Sequence, residues 1–241
     1  EFYSKIVESI PECKIILYNF EKLCGYKFSI DCIKNLVKRF PNQIVGVKDS
    51  SYNLFENLKL ENFSIFPGSE LKLLNQLSIS KYKKEYIIGT GLNSLNETIN
   101  LMRIAKSLEF VKFLIMPPAY YQYGDKQVFE FYSKLIEAVA ERNIVLYNFE
   151  KLCGYRFSVQ CVEELVKKFP DQIVGVKDSS YNLFENLKLE NFSILPGSEL
   201  KLLKGLELGC SGIITATCNV TASLSRKVYD DFFLGNNQTS N

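Results

Sequence analysis

Residues 1–74 of this chain match residues 130–203 at a constant offset, and roughly three-quarters of the aligned positions are identical. The differences are mild, such as Ile6 for Leu135 and Lys27 for Arg156, and nearly all fall before Gln43. Old structural repeats drift much further apart than this. The pattern is that of a recent partial duplication, or of a join between two related genes, so any fold must accommodate one stretch twice. The opening residue is Glu1 rather than Met, which leads us to expect a piece of a longer protein.

Within one copy, helical and strand patterns alternate. Residues 131–140 place apolar side chains at helical spacing, and Asn143-Ile144-Val145-Leu146-Tyr147-Asn148 reads as a buried strand. A loop follows, then a helix over residues 159–169 closed by Pro170, then a strand that ends in Lys177. Residues 192–195 form a short strand stopped by Pro196-Gly197-Ser198, and a helix returns over residues 199–208 with Gly209 at its end. Ser211-Gly212-Ile213-Ile214-Thr215-Ala216-Thr217 gives one more strand. Between the copies, Tyr86-Ile87-Ile88 leads into Gly89-Thr90-Gly91, residues 96–108 form a helix, and residues 111–116 form a strand ended by Pro117-Pro118. Apolar strands alternating with helices imply a parallel sheet covered by helices, and eight such units close a barrel. Three strands in the first copy and six after it make nine. We divide the chain into residues 1–79, a duplicated partial barrel segment; 80–234, the main barrel segment; and 235–241, a polar tail expected to be disordered.

In such a barrel the reactive groups lie at the carboxyl ends of the strands. There the run Gln172-Ile173-Val174-Gly175-Val176-Lys177-Asp178-Ser179-Ser180, repeated letter for letter at residues 43–51, brings a lysine out of an apolar strand into a turn. A lysine among apolar neighbours loses hydration, its pKa falls, and its lone pair becomes available for attack on a carbonyl. Alone, the run also fits an ordinary solvated lysine. Tyr147, at the end of the neighbouring strand, changes the balance. An amine that condenses with a keto group and a phenol that moves protons are the two parts a Schiff-base enzyme needs. Composition narrows the chemistry further, because the chain has no histidine and therefore no His general base or His-based zinc set.

Other classes recede on the same grounds. The formal charge of +2 carries no basic block, which argues against nucleic acid and against an anionic membrane surface. No apolar run approaches the length of a membrane span, and the first residues lack a signal-peptide layout. Seven cysteines, none in a C-x-x-C pair, fit a reducing cytoplasmic setting.

The strand ends also carry Gly89-Thr90-Gly91-Leu92-Asn93-Ser94, Pro118-Ala119-Tyr120-Tyr121, Leu146-Tyr147-Asn148, Gly175-Val176-Lys177-Asp178-Ser179-Ser180, Gly197-Ser198-Glu199 and Gly209-Cys210-Ser211-Gly212-Ile213-Ile214-Thr215. In this order and spacing the chain resembles the dihydrodipicolinate synthase and N-acetylneuraminate lyase family of pyruvate-dependent class I aldolases, which includes 2-keto-3-deoxygluconate aldolases. The resemblance implies an α/β fold of the (βα)8 TIM-barrel type, irregular here because the family's first two strands are missing. It implies Lys177 as the imine-forming lysine, Tyr147 as the catalytic tyrosine and Tyr120 as the tyrosine that the synthases donate across a dimer interface. Gly197, Ser198, Glu199, Thr215 and Thr217 would line the substrate mouth, with a 2-keto acid such as pyruvate as substrate, no metal or organic cofactor, and a homo-oligomer as the assembly. Lys48 and Tyr18 are the duplicate-copy equivalents of Lys177 and Tyr147, and Lys48 is expected to be a structural stand-in.

Three departures shape the expectation. Leu152 occupies the place of the synthases' carboxylate-binding arginine, which favours a lyase or aldolase cleaving or forming a 2-keto-3-deoxy sugar acid over a 4-hydroxy-tetrahydrodipicolinate synthase. Glu150 stands where the family has a proline. The family's Gly-Thr-Thr-Gly-Glu motif, which holds the pyruvate carboxylate, is absent, so a catalytically inactive remnant or keto-acid binder is the alternative. The strands ending at Lys48 and Pro67 are expected to fill two vacant barrel places, with the strand ending at Tyr18 left as an addition and a helix over residues 70–79 leading onward.

Overall fold

The structure is a computed structural model that describes residues 2–69, 74, 77, 78, 85–139 and 142–235. The chain divides into two compact units, Glu1–Lys83 and Lys84–Asn241. The first contains α1 (Phe2–Ser9), β1 (Ile15–Asn19), α2 (Glu21–Cys24), α3 (Ile30–Arg39), β2 (Ile44–Asp49) and β3 (Ser64–Pro67). Its three strands form a parallel sheet in the order β1-β2-β3. Val7 from α1, Leu17 from β1, Ile33 from α3 and Val47 from β2 meet in one buried cluster with Phe28, Leu54 and Leu58 from the connections.

The second unit contains β4 (Ile87–Gly89), α4 (Leu95–Ser107), β5 (Lys112–Ile115), α5 (Asp125–Ala138), β6 (Asn143–Asn148), α6 (Glu150–Cys153), α7 (Val159–Lys168), β7 (Ile173–Asp178) and β8 (Ser193–Pro196). A 3-10 turn (Glu199–Lys201), α8 (Leu202–Glu207) and α9 (Cys218–Leu234) follow. The sheet is parallel throughout, in the order β4-β5-β6-β7-β8. Its central strands are apolar because helices cover a parallel sheet: Phe113, Ile115, Ile144, Leu146, Ile173 and Val176 are all buried.

The helices begin where short polar side chains satisfy free backbone donors. The Ser94 hydroxyl accepts from the Glu97 amide at 3.3 Å, and the Ser158 hydroxyl accepts from the Cys161 amide at 3.0 Å. From that start α7 buries Cys161, Val162 and Leu165 along one face and carries Lys167 and Lys168 in its last turn, where cations suit the helix dipole. Gly154, at φ +69°, ends α6 in a left-handed conformation, so the loop expected after Tyr147 contains a single helical turn.

Eight strands are present among the described residues, where nine were expected. The strand expected over residues 211–217 is an extended segment beside β8. The Ser211 amide donates to the Ile194 carbonyl at 3.0 Å and the Ile214 amide to the Pro196 carbonyl at 3.2 Å, but Gly212 between them takes φ +142° and interrupts the pleat. The strand ending at Tyr18 is an edge strand of the first sheet, with Tyr18 in register with Lys48. The helix expected over residues 199–208 starts as a 3-10 turn. The expected helix over residues 70–79 falls largely, and the tail beyond residue 235 wholly, outside the described residues. Among the described residues no helix is long and apolar enough to cross a membrane.

Glycine lets β7 and β8 approach closely. A Cβ on Gly175 would lie 2.6 Å from the Ser193 carbonyl oxygen and 3.0 Å from the Ser193 Cβ. Both neighbours belong to the sheet, so neither can move aside cheaply. Gly175→Ala should therefore lower stability by about 1–3 kcal/mol, read as a lower urea midpoint at unchanged slope.

Candidate active site

β6 and β7 each end in a residue pair with alternating direction. Tyr147 and Lys177 are register partners, and so are Asn148 and Asp178 one step further on. Asn148 and Asp178 are buried, while Tyr147 and Lys177 are half-buried and line a cleft of about 400 Å³ with Ser179, Tyr181, Gly197 and Thr215. Lys177 Nζ sits 4.0 Å from the centroid of the Tyr147 ring, which holds the ammonium over an aromatic face. Phe149 stacks against that tyrosine at 5.9 Å, with 29° between the planes.

A buried hydrogen-bond network fixes this geometry. Asn148 Nδ2 donates to Asp178 Oδ1 at 2.7 Å and to Asn182 Oδ1 at 2.8 Å, and Asn148 Oδ1 accepts from the Phe157 amide at 3.1 Å. Asp178 also accepts from the amides of Tyr181, Leu183 and Phe184 at 2.9, 2.8 and 3.0 Å. The Ser179 amide donates to the Asn148 carbonyl at 2.8 Å, and the Glu150 amide to the Ser180 hydroxyl at 2.9 Å. Both strand ends and the turn after Lys177 thus share one set of bonds. Sequence reasoning did not assign Asn148, Asp178 or Asn182 a role. The available signal was the repeated Tyr-Asn and Lys-Asp-Ser-Ser-Tyr-Asn, polar residues placed where apolar strands end.

Gly197 belongs to the cleft and closes it. Its amide donates to the Asp178 carbonyl at 2.9 Å, and a Cβ there would fall 2.2 Å from Ser179 Oγ and 3.0 Å from Ser179 Cα. Thr215 also lines the cleft, with Ala216 beside it. Ser198 instead caps the following turn, accepting from the Leu200 amide at 3.3 Å. Glu199 takes up the expected substrate-binding hydroxyls, with Thr215 donating to it at 3.1 Å and Thr217 donating as well, and Thr221 adds a further bond at 3.0 Å. The Thr217 bond, with help from the other two hydroxyls, holds the Glu199 carboxyl down at about 2. Tyr120 is 79% exposed, packs edge-on against Tyr121 at 4.9 Å, and is not part of the cleft lining.

The first unit repeats the pair with looser surroundings. Lys48 Nζ lies 4.7 Å from the Tyr18 ring centroid, and both side chains are exposed. Beneath them Asn19 donates to Asp49 at 2.7 Å and to Asn53 at 2.9 Å, as in the second unit. Thr90, in the Gly-Thr-Gly stretch, has a buried hydroxyl without a hydrogen-bond partner, at the same carboxyl-end edge of the sheet as Lys177. Among the described residues no three His, Cys, Asp or Glu side chains gather as a metal site needs.

A half-buried lysine beside a tyrosine at the carboxyl ends of parallel strands defines a class of α/β protein with an amine poised in a cleft. The comparisons give the family. The description of the dihydrodipicolinate synthetase family matches residues 1–82 and again 79–241. An uncharacterized DapA-like lyase of Chloroflexus aurantiacus is 28% identical over 182 residues, 73% of this chain and 60% of that protein. A 2-dehydro-3-deoxy-D-gluconate/2-dehydro-3-deoxy-phosphogluconate aldolase of Picrophilus torridus is 26% identical over 173 residues, 70% of this chain and 64% of its own length. The solved 2-keto-3-deoxygluconate aldolase from Picrophilus torridus superposes with a TM-score of 0.63 at 21% identity, covering 92% of this chain and 78% of that one. YagE, a prophage protein of the dihydrodipicolinic acid synthase family from E. coli K12, solved with pyruvate, gives a TM-score of 0.65 at 20% identity, with 93% and 76% covered. This chain belongs to the dihydrodipicolinate synthetase family, and its fold is of the (βα)8-barrel type. It spans 60% and 64% of the lengths of the two curated relatives.

Two outcomes follow from the site geometry. Asn148→Ala leaves the buried Asp178 carboxylate short of a donor, so we expect a loss of about 2–4 kcal/mol in denaturant unfolding, well beyond the cost of a surface change. For Glu199 the folded pKa lies below the ordinary 4.5, so its contribution to stability is complete above that value and is lost as pH falls toward about 2. Thr217→Val should move the Glu199 carboxyl titration, followed by NMR, up toward 4.5.

Proposed function

We propose that this chain is a class I pyruvate-dependent lyase, a Schiff-base aldolase that cleaves or forms a 2-keto-3-deoxy sugar acid or a related 2-keto acid. The observation that carries this reading is the pairing of Lys177 with Tyr147, 4.0 Å from ammonium to ring centroid, inside the cleft at the carboxyl ends of β6 and β7. In its neutral form the Lys177 amine attacks the keto carbon, and the carbinolamine loses water to give a protonated imine. That imine is the electron sink. The bond between the third and fourth carbons breaks, its electron pair enters the imine as an enamine, and the aldehyde leaves after its hydroxyl gives up a proton. Tyr147 moves these protons, and protonation of the enamine followed by hydrolysis releases pyruvate and restores the amine.

The names of the Picrophilus relatives support the sugar-acid class, and Leu152 in the place of an arginine weakens the synthase reaction. Gly197 and Thr215 line the mouth, with Ser179 as a further hydroxyl in the cleft lining. Seven free cysteines support a reducing, cytoplasmic setting. The competing reading, a keto-acid binder without turnover, draws on the missing Gly-Thr-Thr-Gly-Glu motif. We expect pyruvate with borohydride to leave one reduced adduct on Lys177, found by intact mass and peptide mapping, and none in Lys177→Ala. An adduct with no aldehyde release from any 2-keto-3-deoxy acid would favour the binder, and no adduct on a folded sample would remove the Schiff-base reading. Tyr147→Phe should slow turnover by about 10²–10⁴-fold while still permitting the adduct.

A further inference from the structure

The duplication places the same residues in two surroundings, and the difference exposes an uncovered apolar face in the first unit. In the second unit, β5 and the start of α5 cover β6 and α7. β5 pairs with β6, Lys112 to Asn143 through Ile115 to Leu146. Tyr132 donates to the Ile115 carbonyl at 2.7 Å, Tyr155 donates to Asp125 Oδ1 at 2.8 Å, and Ser158 donates to the other carboxylate oxygen. The thiol of Cys161 meets the Asp125 carbonyl at 3.8 Å. Phe131, Tyr132, Cys153, Tyr155, Cys161 and Leu165 are all buried there.

The first unit keeps their counterparts Phe2, Tyr3, Cys24, Tyr26, Cys32 and Leu36 unchanged in type. They line a cleft of about 400 Å³ instead of a closed core. Tyr26 is 53% exposed against 5% for Tyr155, and Ile16 on β1 is 54% exposed against 4% for its counterpart Val145. The Tyr26 hydroxyl has a sulfur as its partner, donating to Cys32 Sγ at 3.7 Å. β1 pairs only with β2 among the described strands, leaving one edge of backbone donors and acceptors open beside the cleft. An apolar cleft, a strand edge and two hydroxyls that bind a carboxylate in the other copy all await one kind of segment.

We propose that the first unit docks, from another polypeptide of the same family, a segment equivalent to residues 112–125: a parallel apolar strand, a loop and an acidic helix start. The strand adds to β1 opposite Lys14, Ile15, Ile16 and Leu17, the β5–β6 register carried to the first copy. Its aromatic and aliphatic side chains fill the cleft, and its carboxylate takes the hydroxyls of Tyr26 and Ser29, as Asp125 does with Tyr155 and Ser158.

A labelled peptide of residues 109–129 tests this against the full chain. We expect saturable binding by fluorescence anisotropy, and slower reaction of Cys24 and Cys32 with a thiol reagent when peptide is present, while exposed Cys13 reacts as before. Asp125→Asn in the peptide should weaken binding by about tenfold, as should Tyr26→Phe in the chain. Ile16→Lys should abolish strand addition in a chain whose circular dichroism is unchanged. No saturable binding, equal binding by a scrambled peptide, or equal binding to Tyr155→Phe and Tyr26→Phe chains at the wild-type level would overturn the proposal. So would Cys24 and Cys32 reacting as slowly as Cys153 and Cys161 in the chain alone, because the face would then already be covered.

Discussion

A buried carboxylate holds this structure's working end together. Asp178 has no exposure to solvent and accepts four hydrogen bonds, one from Asn148 and three from backbone amides of the turn that follows it. A charge taken out of water is tolerable only when such donors replace its hydration. The chain must therefore bring β6, β7 and residues 181–184 into one arrangement, and Tyr147 and Lys177 are oriented as a consequence. Neither side chain that carries the proposed chemistry makes the bonds that position it.

The duplication works as an internal control on that statement. Asp49 accepts from Asn19 at 2.7 Å, as Asp178 does from Asn148, and from the Leu54 and Phe55 amides at 2.9 Å each. These bonds form within one copy, so they survive a change of neighbours. The burial of Tyr26, Cys24 and Ile16 does not survive, because their counterparts depend on β5 and Asp125 from outside the repeated stretch. Local hydrogen bonding is carried by the repeated sequence itself, whereas burial is a property of what packs against it.

Legibility in the sequence followed the same division. The strands ending at Tyr147 and Lys177, the helix that follows residue 158 and the proline and glycine stops were readable from periodicity and turn chemistry. The extended segment at residues 211–217 misled, since its apolar composition reads as a strand while Gly212 at φ +142° breaks the ladder. The surroundings of Glu199 were not legible: its carboxylate is engaged by Thr215, Thr217 and Thr221, the last on α9 and 22 positions away in sequence. Such a three-way contact has no periodicity to betray it.

From its residues alone the chain determined most of its helices and strands, that its strands run parallel under helices, and that a lysine and a tyrosine end neighbouring strands, since each depends on side chains a few positions apart. Only the tertiary structure decided that Asn148 and Asp178 share a buried bond, that Gly197 must lack a side chain against Ser179, and that Tyr120 stays in solvent. The reason is one of range. Backbone preference and hydrophobic period act over a few residues, while burial and the bonds that Asn148 makes to Asp178 and Asn182 depend on groups that the chain brings together from 30 or more positions away.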